Sequence, residues 1–253
     1  MSEPEASLPS TQRRLIIVAD EAALAQAVAE HVVSTAARAI AARGTFALAL
    51  AGGTTPKAAY ALLAVEPLRS AVDWPQVRFF FGDERCVPPD DEQSNYKSAN
   101  DGLFSPLGIA ATQIFRMRGE DEPAAAARAY AALLREELGE LPAFDSVMLG
   151  MGPDGHTASL FPGSDPTEDD TALVRAPFVA KFQTYRVTLT PSVLNAARDV
   201  AFATSGSAKA EALRAVLEGP NEPTRYPAQI VIPREGVLTW YVDAAAAALL
   251  TRD

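Results

Sequence analysis

His156 lies in the run Met148-Leu149-Gly150-Met151-Gly152-Pro153-Asp154-Gly155-His156-Thr157-Ala158-Ser159-Leu160-Phe161-Pro162-Gly163, directly after an apolar, strand-like stretch. It is one of only two histidines in 253 residues. An imidazole titrates near neutral pH and can take and return a proton. Asp154, two residues upstream, is near enough in sequence to orient the ring. Glycines, an aspartate and two hydroxyl residues around a histidine form the kind of company found in catalytic loops. The same run also spells GxGxxG through Gly150, Gly152 and Gly155. A dinucleotide site needs a helix opening on the last glycine, with the pyrophosphate at its N-terminus. Pro162 and Gly163 leave room for only a turn or two, so that reading is rejected.

Three further segments carry polar chemistry. Ala51-Gly52-Gly53-Thr54-Thr55-Pro56-Lys57 joins a strand to a helix. Its glycines permit close backbone approach, and hydroxyls with free amides at a helix start suit a phosphate. The spacing is not that of a Walker P-loop. Phe81-Gly82-Asp83-Glu84-Arg85-Cys86-Val87-Pro88-Pro89, followed by Ser94-Asn95, puts two acids and an arginine at a strand end. Such groups orient a sugar, hold a phosphate or stabilise developing negative charge; the bland alternative is a surface ion-pair cluster. Arg186 and Lys209 form the last set. Lys209 falls in the first turn of an expected helix, where a cation is unfavourable unless it shares an anion. Cys86, with no histidine beside it, reads as a buried small residue.

The elements that must position these groups follow from periodicity. Leu15-Ile16-Ile17-Val18 reads as a short buried strand, and Asp20 as the cap of the next helix. Leu24, Val28, Val32, Ala36, Ala39 and Ile40 recur at helical spacing, with His31 beside the stripe as a helix-boundary histidine. Strands are expected over 46–50, 77–81, 146–149, 187–189, 200–203 and 238–242. Helices are expected over 56–64, 123–138, 207–217 and 243–250. Alternation of strand and helix implies an α/β domain with a mostly parallel sheet covered on both faces. Ligands of such sheets bind beyond the carboxyl ends of the strands, where the candidate segments fall.

Composition bounds the rest. With 48% apolar residues and no internal repeat or linker, residues 13–253 read as a single domain behind a flexible tail over 1–12. The tail has no signal-peptide pattern, and no segment is long enough to span a membrane. A single cysteine fits a reducing cytoplasm. The net charge of -10 argues against nucleic-acid or anionic-membrane partners but leaves room for a small anionic substrate. Two histidines 125 residues apart with one cysteine give no metal spacing, and no cofactor is expected.

Taken in order, Gly52-Gly53-Thr54-Thr55-Pro56, Gly82-Asp83-Glu84-Arg85-Cys86-Val87-Pro88, Ser94-Asn95-Tyr96, residues 149–163, Arg186-Val187-Thr188-Leu189-Thr190 and Gly206-Ser207-Ala208-Lys209 resemble the 6-phosphogluconolactonases. The resemblance runs from about residue 15 to 243, with Thr54 where that family often has serine. It implies a modified Rossmann-like sheet without a nucleotide and a phosphorylated sugar lactone as substrate. It also implies a phosphate pocket with Gly52, Gly53, Thr54, Thr55, Arg186 and Lys209. His156 is implied as general base, with Asp154, Asp83, Arg85 and Asn95 around the sugar. Arg85 or backbone amides near Gly155 are the expected oxyanion donors. Two other readings stand beside it. Glucosamine-6-phosphate deaminase-like relatives carry a glutamate five residues after the loop histidine, where this chain has Phe161, and tend to have tyrosine at Arg85. A sugar-phosphate-sensing module would need an appended DNA-binding helix-turn-helix, for which a 12-residue tail is too short.

Overall fold

The computed structural model describes residues 12–163 and 171–251. Ten strands occur among these residues: β1 (Gln12–Val18), β2 (Phe46–Leu50), β3 (Val77–Phe81), β4 (Asp83–Arg85), β5 (Ser146–Gly150), β6 (Val174–Arg175), β7 (Phe178–Val179), β8 (Thr184–Leu189), β9 (Asp199–Thr204) and β10 (Val237–Asp243). The α-helices are α1 (Glu21–Arg43), α2 (Thr54–Leu63), α3 (Asn95–Ala99), the one-turn α4 (Ser105–Leu107), α5 (Pro123–Leu138), the short α6 (Pro191–Leu194) and α7 (Ala210–Glu218). Six strands form one all-parallel sheet in the order β1-β10-β9-β5-β2-β3. A smaller antiparallel sheet, β4-β8-β6 with β7 on β8, stands beside it.

Local chemistry sets the helix limits. Asp20 accepts from the Ala23 amide at the start of α1, and Gly44 ends it in the left-handed conformation at φ 77°. Pro123 opens α5 behind Glu122, whose carboxylate accepts from the Ala124 and Ala125 amides. Central β2 is buried at every residue, as a strand covered on both faces must be. On β10 alternation splits the faces. Tyr241 meets His31 of α1 on one side, while Trp240 stacks on Phe202 at 3.9 Å and lines a groove with Val216 and Leu217 of α7 on the other.

Several expectations need correction. β1 is an exposed edge strand rather than a buried one: Leu15 and Ile17 are nearly half exposed, and among the described residues β1 pairs only with β10. His31 is not at a helix boundary. It sits inside α1, 8% exposed, with Nε2 2.6 Å from Asp199 Oδ1 and Nδ1 3.0 Å from the Tyr241 hydroxyl. Residues 243–250 do not form an α-helix. β10 runs through Asp243, whose carboxylate takes the Ala246 and Gly206 amides, and only a 3-10 turn (Ala246–Leu249) follows. The expected strand over 187–189 belongs to the antiparallel sheet. Cys86 is only partly buried. Gln12 is already in β1, and residues 1–11, like the 165–170 stretch read as a solvated loop, lie outside the described residues.

Candidate active site

Strand order reverses at β2: the chain moves outward to β3, then returns to place β5 on the other side. The loops after β2 and β5 therefore diverge, opening a crevice at the carboxyl edge of the sheet. A cavity of about 280 Å³ occupies this point, lined by Gly52, Gly53, Thr54, Thr55, Asp83, Arg85, Asn95, His156 and Lys209 among others. Nine of the twelve expected site residues thus come together from five separate segments. Asp154, Gly155 and Arg186 do not line it.

On one side is the start of α2. Gly53 caps the helix at φ 104°, a conformation suited to glycine, and no side chain claims the first-turn amides. The loop is pinned by a residue that the sequence reading missed: the buried Tyr60 hydroxyl accepts from the Ala51 amide at 3.1 Å and donates to the Ala51 carbonyl at 2.8 Å. Gly52 has a steric reason. A Cβ there would lie 1.9 Å from Asn95 Oδ1. That buried oxygen has no hydrogen-bond partner among the described residues, while Asn95 Nδ2 donates to the Asp83 carbonyl and carboxylate. Lys209 faces this region, and burial lowers its pKa. A partly desolvated ammonium is primed to bind an anion.

The β4 end is braced by Glu84, one of the two acids expected at this strand end. Buried at 2% exposure, its carboxylate accepts from the amides of Arg85, Asn95 and Tyr96 and from the Ser94 hydroxyl. Burial raises its pKa and those bonds pull it back. It ties the start of α3 to β4 and so sets Asn95. Arg85 and Arg186 are direct cross-strand partners in the small sheet. Burial lowers the Arg186 pKa, and the like charge of Arg85 lowers it further. Two cations forced together favour an anion between or beside them.

The His156 loop closes the third side. After Gly155 the chain makes a turn with a Thr157–Leu160 bridge rather than a helix, so the GxGxxG spacing has no dinucleotide geometry. Gly155, at φ 76°, packs its α-carbon under Tyr226, and its amide already donates to the Gly152 carbonyl. Ala158 takes the left-handed region at φ 47°, unusual for a residue with a Cβ. Ser159 anchors the strained turn: its amide donates to Thr188 Oγ1 and its hydroxyl to Asp83 Oδ2 at 2.7 Å.

His156 itself is fixed from several directions. Nδ1 lies 2.5 Å from Asp154 Oδ1. Phe161 stacks on the ring at 4.3 Å between centroids, and Phe182 meets Phe161 edge-on. Gly152 provides the seat, since a Cβ there would fall 2.1 Å from His156 Cε1. Lys181 Nζ holds the other oxygen of Asp154 at 2.9 Å. Burial alone would raise the Asp154 pKa, but the hydrogen bonds from Lys181 and His156 prevail and hold it at about 2. Ionised, that carboxylate can only accept, so Nδ1 is the protonated partner in this hydrogen bond. The arrangement sets the imidazole beside a cavity that Arg85, Lys209 and the start of α2 also line. Among the described residues no cluster of His, Cys, Asp and Glu could hold a metal ion, and no helix is long and apolar enough to cross a membrane.

Comparison with known proteins bears on the same region. The human 6-phosphogluconolactonase is 41% identical over 239 residues, covering 91% of this chain and 89% of that protein. That of Haemophilus influenzae is 36% identical over 206 residues, covering 80% and 87%. The solved structure of the Trypanosoma brucei 6-phosphogluconolactonase superposes with a TM-score of 0.83 at 29% identity, covering 96% of this chain and all of that one. A monomeric glucosamine-6-phosphate deaminase, at 22% identity and a TM-score of 0.79, shares the fold. The family model described as glucosamine-6-phosphate isomerases/6-phosphogluconolactonase matches residues 19–240, and with these relatives it shows that the chain belongs to that family.

Proposed function

We propose that the protein hydrolyses 6-phospho-D-glucono-1,5-lactone to 6-phosphogluconate. The observation that carries this reading is the Asp154–His156 pair, with His156 lining the same cavity as Arg85, Lys209 and the start of α2. The phosphate would sit against Gly53, Thr54, Thr55 and Lys209, with Arg186 adding charge. Gly52 leaves space for Asn95, which faces the sugar together with Asp83.

His156 Nε2 takes a proton as water attacks C1. The carbonyl π electrons move to oxygen, and Arg85 stabilises the oxyanion. The Gly155 amide, spent on Gly152, is the weaker candidate. As the tetrahedral centre collapses, the C1–ring-oxygen bond breaks and His156 returns its proton to the leaving oxygen. Asp154 holds the ring in the required tautomer throughout. The lactone is a reactive ester, so positioned base catalysis suffices without a metal or cofactor. Phe161 supports hydrolysis over amino-sugar isomerisation, because an aromatic ring stacks on His156 where the deaminase-like pattern has an acid. We also place the protein in the cytoplasm as one domain acting on a small molecule, without nucleic-acid or membrane partners.

The test is hydrolysis of freshly made lactone at neutral pH by wild type and His156→Ala against an enzyme-free blank, which corrects for spontaneous hydrolysis. The expected result is a wild-type rate about 10²–10⁴ times that of the variant. Equal rates for both proteins remove His156 from its role. A wild-type rate equal to the blank overturns the lactonase reading. Ammonia release from glucosamine 6-phosphate would then point to a deaminase, and ligand binding without turnover to a sensor.

A further inference from the structure

Lys181 and Phe182 arrive on the β7–β8 hairpin, a segment separate from the His156 loop, and touch the two residues that hold the imidazole, Asp154 and Phe161. Lys181 Nζ lies 2.9 Å from Asp154 Oδ2, while Asp154 Oδ1 lies 2.5 Å from His156 Nδ1. Phe182 meets Phe161, which stacks on the imidazole, and Lys181 Nζ stands 5.5 Å over the Phe182 ring. A single carboxylate thus bridges an ammonium and an imidazole. Lys181 does not line the cavity, so this geometry does not place it on the substrate.

The electrostatic consequence has a definite sign. A lone carboxylate on Nδ1 favours the imidazolium, which cannot act as a base. An ammonium on the other oxygen offsets part of that field and keeps the carboxylate in place. Among the described residues the remaining charges near the ring are Arg85, Asp83 and Lys209 across the cavity and Arg186 on β8, whose guanidinium lies over Phe182 at 5.4 Å. A substitution at Lys181 leaves all four in place. Given the hydrolase reading above, we propose that Lys181 is a positioning residue that orients Asp154 and keeps His156 in its basic form at neutral pH.

The experiment is the pH dependence of lactone hydrolysis for wild type, Lys181→Met, Lys181→Arg, His156→Ala and the Lys181→Met/His156→Ala pair. Lys181 is half exposed, so Lys181→Met is expected to fold, and circular dichroism checks it. For Lys181→Met the acidic limb of kcat should move up by about half a unit to one unit. On the acidic side of that limb kcat should fall about three- to tenfold, with KM unchanged. Lys181→Arg should restore most of the profile. In the His156→Ala background Lys181→Met should cost nothing further, because its effect runs through the imidazole. A Lys181→Met profile superimposable on wild type overturns the proposal. So does a rise in KM with kcat intact, which would put Lys181 on the substrate, or an equal loss with and without His156. A fully active His156→Ala sinks the hydrolytic base itself, an outcome distinct from failure at Lys181 alone.

Discussion

A methyl group at Gly152 strikes at the proposed base without altering a single functional group. The ideal Cβ would stand 2.1 Å from His156 Cε1, 2.2 Å from Nδ1 and 2.8 Å from Asp154 Oδ1. Carbon atoms in contact need about 3.5 Å, so the imidazole must retreat by more than about 1 Å. Retreat carries Nε2 away from the cavity and strains the pair with Asp154. A displacement of that size costs about 100-fold in rate, and complete loss of a general base about 10²–10⁴-fold. Gly152→Ala should therefore lower kcat by about 10²–10³-fold. KM should stay within about threefold, since Thr54, Thr55 and Lys209 stand on other elements. The assay is steady-state lactone hydrolysis corrected for the blank, with product binding measured by calorimetry. Gly102→Ala serves as the control, because its Cβ would meet Tyr60 Cβ at 3.7 Å and the Lys57 carbonyl at 4.0 Å, both ordinary contacts. Gly152→Ala combined with His156→Ala should be no slower than His156→Ala alone. A Gly152→Ala enzyme with kcat within twofold of wild type would refute the reasoning, whatever its stability.

Other outcomes follow from neighbouring contacts. Lys209→Ala should raise KM by about 10–100-fold with little change in kcat, as loss of a charged hydrogen bond to phosphate predicts; saturation kinetics decide it. Ser159→Ala removes the 2.7 Å bond to Asp83 beneath the strained Ala158 and should cost about 1 kcal/mol in urea unfolding, with a few-fold loss of kcat. His31→Phe leaves buried Asp199 with only the Ser146 hydroxyl, at 3.1 Å, from this network; it should destabilise the fold by about 3 kcal/mol with kcat unchanged. Hydrogen bonds from Arg116 hold the Glu120 pKa at about 2, down from the ordinary 4.5. A carboxylate depressed on folding stabilises above its unfolded value, and the contribution is lost as pH falls from about 4.5 to 2. Both side chains are about a quarter exposed, so screening reduces it to about 1 kcal/mol. Glu120→Gln should thus destabilise at pH 7 and match wild type near pH 2, measured by denaturant midpoints.

The sequence by itself determined the α/β class, the parallel strands and the segments that meet at the sheet edge. Its short-range signals are strong: apolar runs of strand length at 46–50, 77–81 and 200–203, proline at the start of α5, and glycines beside hydroxyl residues after β2. It also marked His156, because a titratable ring among glycines is unusual whatever the fold. Tertiary structure decided what depends on pairing across long separations. The exposure of β1 follows from its place at the sheet edge, which its own Leu15-Ile16-Ile17 cannot reveal. His31 became a buried partner of Asp199 because α1 crosses a strand 168 residues away. Glu84 read only as one of two acids at a strand end, with no sign that it braces α3, and Tyr60 and Lys181 showed no local pattern of chemistry. Each acts through one distant contact, to the start of α3, to Ala51 and to Asp154, and folding alone brings those partners within hydrogen-bond range.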